Sequence, residues 1–141
     1  KGVNPKGECW RIGITKPTDD PMGVNKELQE IVQLCGRHGL ATSGDYRNFY
    51  IKDGKKYAHT IDPRTGYPAG QPILSATVIA DDCMTADAYA TAFMAMGREE
   101  ARKIQQQHPE LEYLFIYADK NGDFRTDYSE GFRKHLVSVN K

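Results

Sequence analysis

Two short runs of this chain carry residue types that can do chemistry. The first is His59-Thr60-Ile61-Asp62-Pro63-Arg64-Thr65-Gly66. A neutral imidazole accepts a proton near neutral pH and so serves as a general base. A His just ahead of a rigid Pro/Gly turn also stands where scaffolds present functional groups. The same residues fit an ordinary turn, with His59 bonded to backbone and Asp62 capping its own turn. The second run is Thr85-Ala86-Asp87-Ala88-Tyr89-Ala90-Thr91. On a helix, Asp87 and Thr91 stand at i and i+4 and share a face. A carboxylate beside a hydroxyl suits a hard cation such as Mg²⁺, which takes few protein ligands and completes its octahedron with water and substrate phosphate. Ala86, Ala88, Ala90 and Ala92 add no bulk, so another backbone or a ligand can come close. Polar i, i+4 pairs are also common on helices that bind nothing. Spacing alone leaves both readings open.

The elements that must position these runs follow from pattern. Residues 9–14 (CWRIGI) read as a strand, and residues 15–23, with Pro17 and Pro21 among polar residues, as a loop. Leu28, Ile31, Val32 and Cys35 fall at helical spacing, in conflict with a partial strand alternation. From Leu40 the chain is β-rich. Residues 48–52 and 55–59 flank Asp53-Gly54, a strong hairpin signal. Asp62-Pro63-Arg64-Thr65-Gly66 is a turn in which Gly66 takes the left-handed position. The β-branched run 73–80 predicts a central strand. Residues 84–96 form an Ala-rich helix stopped by Gly97, and residues 98–107 a second helix ended by Pro109. Residues 111–118 read as a strand that turns at Asn121-Gly122 into residues 123–126, and Ser129 can cap a short last helix. Strands outnumber helices and the class is α+β.

Composition narrows the function. The 141 residues suffice for one compact domain with a hydrophobic core. Lys plus Arg and Asp plus Glu both number 19, so no basic excess calls for nucleic acid or an anionic membrane surface. The longest apolar stretch, residues 88–96, is far too short to span a bilayer. The chain opens on Lys1-Gly2-Val3-Asn4-Pro5 without an initiator Met or a signal peptide, as the interior of a longer protein would. Three widely spaced cysteines (Cys9, Cys35, Cys83) without a C-x-x-C read as small buried apolar side chains rather than a disulfide framework or zinc site. Asp119, Asn121, Asp123, Asp127 and Glu130 match EF-hand ligand positions, but Phe124 replaces the required Gly and a strand precedes the loop, so the hairpin reading prevails. His38, His108 and His135 read as surface or satisfied residues. No nucleophile elbow or dinucleotide-binding glycine pattern occurs.

Four segments taken together resemble the ApbE family of flavin transferases, formerly described as thiamine biosynthesis lipoproteins. They are residues 10–14 (WRIGI), 42–48 (TSGDYRN), 58–68 (AHTIDPRTGYP) and 86–91 (ADAYAT), in the family's order. Any one is weak, but H-x-I-D-P-x-T-G followed by A-D-A-x-x-T is specific. The resemblance implies that residues 1–141 are the C-terminal portion of a single flavin-transferase domain, T-fold-related and β-rich with a central Ala-rich helix, whose N-terminal half is absent. It favours a strand over residues 28–35.

The activity implied is Mg²⁺-dependent transfer of FMN from FAD to a threonine hydroxyl of an acceptor flavoprotein, with release of AMP. The acceptor is expected to be a flavin-bearing subunit of a membrane electron-transport complex. By resemblance, Asp87 and Thr91 are metal ligands, His59 is the base for the acceptor threonine, and Ile61 contacts FAD. Where certain relatives carry a second acidic residue before the metal-binding threonine, this chain has Ala90. The family setting is the periplasmic face of the bacterial inner membrane, with a lipid anchor on the absent N-terminal segment. A hydrolase giving FMN and AMP from FAD, and a non-catalytic FAD-binding protein, are the rival functions.

Overall fold

A computed structural model describes residues 2–17, 27–44, 49–52, 55–58, 61–68, 73–119, 121 and 123–137. Its frame is a four-stranded antiparallel sheet in the order β10-β9-β8-β3, built from β3 (Gly39–Gly44), β8 (Ile73–Ala80), β9 (Glu112–Ala118) and β10 (Phe124–Tyr128). A separate hairpin pairs β1 (Trp10–Thr15) with β2 (Leu28–Leu34). Two further antiparallel pairs join β4 (Phe49–Lys52) to β5 (Lys55–Ala58) and β6 (Ile61–Asp62) to β7 (Tyr67–Pro68). The helices are α1 (Cys83–Met96), α2 (Arg98–Gln107) and α3 (Glu130–Arg133).

The central sheet is covered on both faces, which explains why β8 and β9 read as continuous apolar runs. Along β8, Ala76, Val78 and Ala80 face α1, where they meet Ala86, Ala90, Phe93 and Met94. Ile79 points to the other layer, with Val32, Leu34, Leu114 and Phe132. Ile73 joins the α1 side although its parity is odd. A register shift between Ile73 and Ser75 inserts one residue and flips the alternation there. Thr77 is fully buried on the far side and satisfies its hydroxyl against Thr42 Oγ1 at 2.9 Å. On β9, Tyr113 and Phe115 stack at 4.2 Å, and Phe93 of α1 meets Phe115 edge-on at 5.8 Å.

Residues 28–35 show how context resolves a local conflict. Their helical spacing loses to the strand, because pairing with β1 lets Val32 and Leu34 bury together against the sheet. The chain returns to this hairpin at its end, where Gln33 N donates to His135 O and Val137 N donates to Ile31 O. Ser129 caps α3 as its sequence position predicts, accepting from Phe132 N. Its hydroxyl also bonds to the Glu112 carboxylate and accepts from Tyr113 N, so α3 is fixed to β9 and Phe132 is fully buried beneath it.

The cysteine expectation is overturned. Cys9 and Cys35 form a disulfide, and Cys83 is exposed rather than buried. The pairing follows from the β1–β2 register. Trp10 stands opposite Leu34, so the residues just outside that pair meet across the hairpin, with Cα atoms 4.7 Å apart. The EF-hand lookalike is a hairpin turn, as expected. Asp119 accepts from Asn121 N, Asp123 N and Arg125 Nε at 2.9–3.0 Å, which leaves its carboxylate committed to the turn. His135 bonds to Gln33 O through Nδ1, His108 pairs with Glu110, and the His38 ring lies edge-on to His135, so these histidines have structural partners. The expected Asp53-Gly54 turn lies outside the described residues.

Helix α1 begins where predicted to within one residue. Asp82 is its N-cap, accepting from Thr85 N and Thr85 Oγ1, both at 2.9 Å. Gly97 closes it at φ 83°, a conformation that favours glycine.

Two measurements test this frame. The disulfide closes a loop of sequence separation 26, and constraining such a loop stabilises by about 3.5 kcal/mol in the chain-entropy relation. Replacing Cys9 and Cys35 by Ala, or adding reductant, should lower the urea midpoint by a matching amount, and an unchanged midpoint would refute a structural crosslink. The backbone hydrogen bond from Thr85, then the Thr85 hydroxyl, hold the Asp82 carboxyl below its ordinary value. A depressed folded-state value means that this stability is present above the unfolded-state value and is lost as pH falls through the folded one. The unfolding midpoint of the native protein should therefore drop more steeply on acidification than that of Asp82→Asn.

Candidate functional site

The site is built on the exposed side of α1. Ala86, Ala90, Phe93 and Met94 turn one face of this helix into the core, which leaves Asp87 and Thr91 on an exposed face one turn apart. Among the described residues the Asp87 carboxylate has no hydrogen-bond or ion-pair partner. Thr91 Oγ1 lies 3.0 Å from Ser43 Oγ on β3.

β3 reaches Thr91 because it runs beside α1 from end to end. At its start Gly39 is so close to the helix N-terminus that an added Cβ would stand 2.2 Å from the Asp82 carbonyl carbon. Ser43 pairs with Ala76, so it shares the α1 side of the sheet, whereas Thr42 pairs with Thr77 and points away. Small side chains at Ala76 and Ala90 leave room for this approach.

The described part of the run that begins at His59 comes to the same helix. β6 lies against α1, and the turn after it carries Pro63 and Arg64 over the helix's outer side. There a cleft of about 290 Å³ is lined by Pro63, Arg64, Ala92, Ala95, Met96 and Ile104, with Glu100 at its edge. Gly66 takes φ 72°, the left-handed position expected for this turn. Ile61 thus belongs to a strand beside α1, in the segment that follows His59. His59 and Thr60 themselves lie outside the described residues.

Three oxygen donors therefore gather along one flank of α1: the Asp87 carboxylate, the Thr91 hydroxyl and, behind it, the Ser43 hydroxyl. This donor set suits a hard, oxygen-seeking cation that keeps several waters, and nothing in it favours zinc or another thiophilic metal. Among the described residues no three His, Cys, Asp or Glu side chains cluster as a self-sufficient metal cage. Ala90 is fully buried in the core, so a carboxylate at that position would point away from this face as the helix is seated here.

Ser43 is the residue that sequence reasoning left without a role. It was visible only as part of the 42–48 segment. The signal that finds it is strand parity, since Gly39, Ala41 and Ser43 alternate onto one side of β3.

Comparison with known proteins agrees with this arrangement. Residues 1–115 match the sequence profile of the ApbE family. The chain is 41% identical over 139 residues to the FAD:protein FMN transferase of Escherichia coli (strain K12), covering 98% of this chain and 37% of that protein. The structure is similar to the flavin transferase ApbE from Vibrio cholerae, with a TM-score of 0.76 and 36% identity over 96% of this chain and 40% of that one. It is likewise similar to the apo form of Pseudomonas stutzeri flavinyl transferase ApbE, with a TM-score of 0.74 and 32% identity over 99% of this chain and 41% of that one. The chain thus spans well under half the length of the relatives it matches. With the profile match covering most of its residues, this chain belongs to the ApbE family.

Proposed function

We propose that this chain is the C-terminal portion of an Mg²⁺-dependent FAD:protein FMN transferase, in a T-fold-related domain whose other half completes the FAD pocket. The observation that carries the reading is the exposed flank of α1. There an Asp87 carboxylate unpaired among the described residues and the Thr91 hydroxyl share one face of the helix, Thr91 3.0 Å from Ser43 of β3, and the strand that contains Ile61 packs on the same helix. The names of its relatives supply the reaction.

In this reading the oxygen of an acceptor threonine attacks the FMN-side phosphorus of the FAD pyrophosphate. A phosphoester bond forms to FMN, the bond to the AMP phosphate breaks, and AMP leaves. His59, on the segment preceding Ile61, takes the threonine proton, because an unassisted hydroxyl is a weak nucleophile. Ile61 contributes to the FAD contact. Asp87 and Thr91 hold the cation, which when bound neutralises charge on the pyrophosphate and orients it. Most of the remaining work is positioning, which a helix seated in a packed core provides.

The acceptor is a flavin-bearing subunit of a membrane electron-transport complex, and the protein works at the periplasmic face of the inner membrane, held there by a lipid anchor. The Cys9–Cys35 disulfide supports an oxidising compartment. Among the described residues no helix is long and apolar enough to cross a membrane.

Incubating the full-length protein with FAD, Mg²⁺ and an acceptor subunit tests the reading. Covalent flavin should appear on the acceptor with AMP in equal amount. His59→Ala should slow the reaction by about 10²–10⁴-fold, the usual weight of a general base. Asp87→Ala should abolish its response to Mg²⁺. Free FMN formed regardless of acceptor would establish hydrolysis instead, and tight FAD retention without AMP release would establish a binding protein. Unchanged flavinylation in both variants would sink the proposal.

A further inference from the structure

We propose that Ser43 is a positioning residue for the cation-binding flank, holding the Thr91 hydroxyl so that its lone pairs face the side it shares with Asp87; this rests on the reading of Asp87 and Thr91 as cation ligands. A hydroxyl has one proton and two lone pairs. When its oxygen serves a cation without ionising, the proton needs an acceptor elsewhere. Ser43 Oγ, 3.0 Å from Thr91 Oγ1, stands where that acceptor is needed; either hydroxyl can donate across this contact, and a cation on Thr91 selects donation from Thr91 to Ser43. The contact holds the Thr91 rotamer before a cation arrives, and donation to Ser43 then turns the Thr91 lone pairs outward.

The backbone sets this contact. Strand β3 and helix α1 run side by side in the same direction, anchored first where Gly39 abuts Asp82. From Gly39 to Ser43 a strand advances about 13 Å. From Asp82 to Thr91 a helix advances about 13.5 Å. The two rises match, so Ser43 arrives level with Thr91 and not with the turns on either side, each about 5.4 Å away. Residues 41 and 43 share the side facing α1, and Thr42 is occupied with Thr77 on the other side. Among the described strands β3 stands at one end of the central sheet, paired with β8. Hydrogen-bond partners behind metal ligands orient them, and loss of such a partner typically weakens metal binding by about 10–100-fold.

The test is Mn²⁺ binding to the full-length protein, read from the free-ion signal in electron paramagnetic resonance without turnover, alongside the unfolding midpoint in metal-free buffer. Ser43→Ala should weaken Mn²⁺ binding roughly tenfold. Ser43→Thr, which restores a hydroxyl, should recover most of the loss. Ser43→Cys keeps the shape while weakening the acceptor, and should shift binding in the same direction even if the alanine variant folds poorly. Asp87→Ala and Thr91→Val should lose more than any Ser43 variant. If Ser43→Ala and Ser43→Cys bind Mn²⁺ like the native protein while Asp87→Ala does not, Ser43 is only a tie between strand and helix and the proposal is overturned. If Asp87→Ala and Thr91→Val also bind normally, the cation-binding flank itself is wrong and the proposal falls with it.

Discussion

The seating of α1 on the central sheet is the constraint from which the rest of the structure follows. Ala86 and Ala90 let the helix axis come close to β8, while Gly39 lets β3 slide under the helix N-terminus. Phe93 and Met94 then fill the space between helix and sheet, against Tyr113 and Phe115. Burying a side chain the size of Phe93 contributes roughly 1.5–3 kcal/mol. A hydroxyl pair such as Ser43–Thr91 contributes about 0.5–1.5 kcal/mol. The packing therefore decides where the helix lies, and the polar residues on its outer side are placed by a decision already made elsewhere.

Two aspartates show how placement turns one chemistry into different roles. Asp119 sits in a tight turn and receives two backbone N–H donors and the Arg125 guanidinium. The Arg125 side chain, first among these, holds its carboxyl below the ordinary range. Three of its roughly four lone-pair sites are thus taken, and the Arg125 guanidinium offsets its charge. Asp87 stands mid-helix, where backbone donors are already used by the helix itself, so among the described residues its oxygens are uncommitted. The loop with more carboxylates is the poorer cation site, because its charges are spent on the turn.

Much of the fold could be read from pattern because its elements are locally consistent. Strand β8 and helix α2 fall at their predicted limits, α1 and β9 within a residue, and α3 starts at its predicted cap, Ser129. Strand β2 was less plain, since Leu28, Ile31, Val32 and Cys35 also satisfy a helix. Only its pairing with β1 and the burial of Val32 and Leu34 decide it. The disulfide was hidden for a related reason. Cys9 and Cys35 are far apart in sequence and carry no motif, and they become neighbours only once the hairpin register is known.

By itself the sequence determined which residue types were available for chemistry and the periodicity that put Asp87 and Thr91 on one helical face. It also determined the order of the two signature segments. Those properties depend on chain geometry over a few residues, which local sequence specifies. The tertiary structure decided which side of α1 would be buried, that β6 would lie against it, and that Ser43 would meet Thr91. These contacts join residues as much as 48 positions apart. Their geometry is set by side-chain volumes filling a shared core, and no local pattern encodes it.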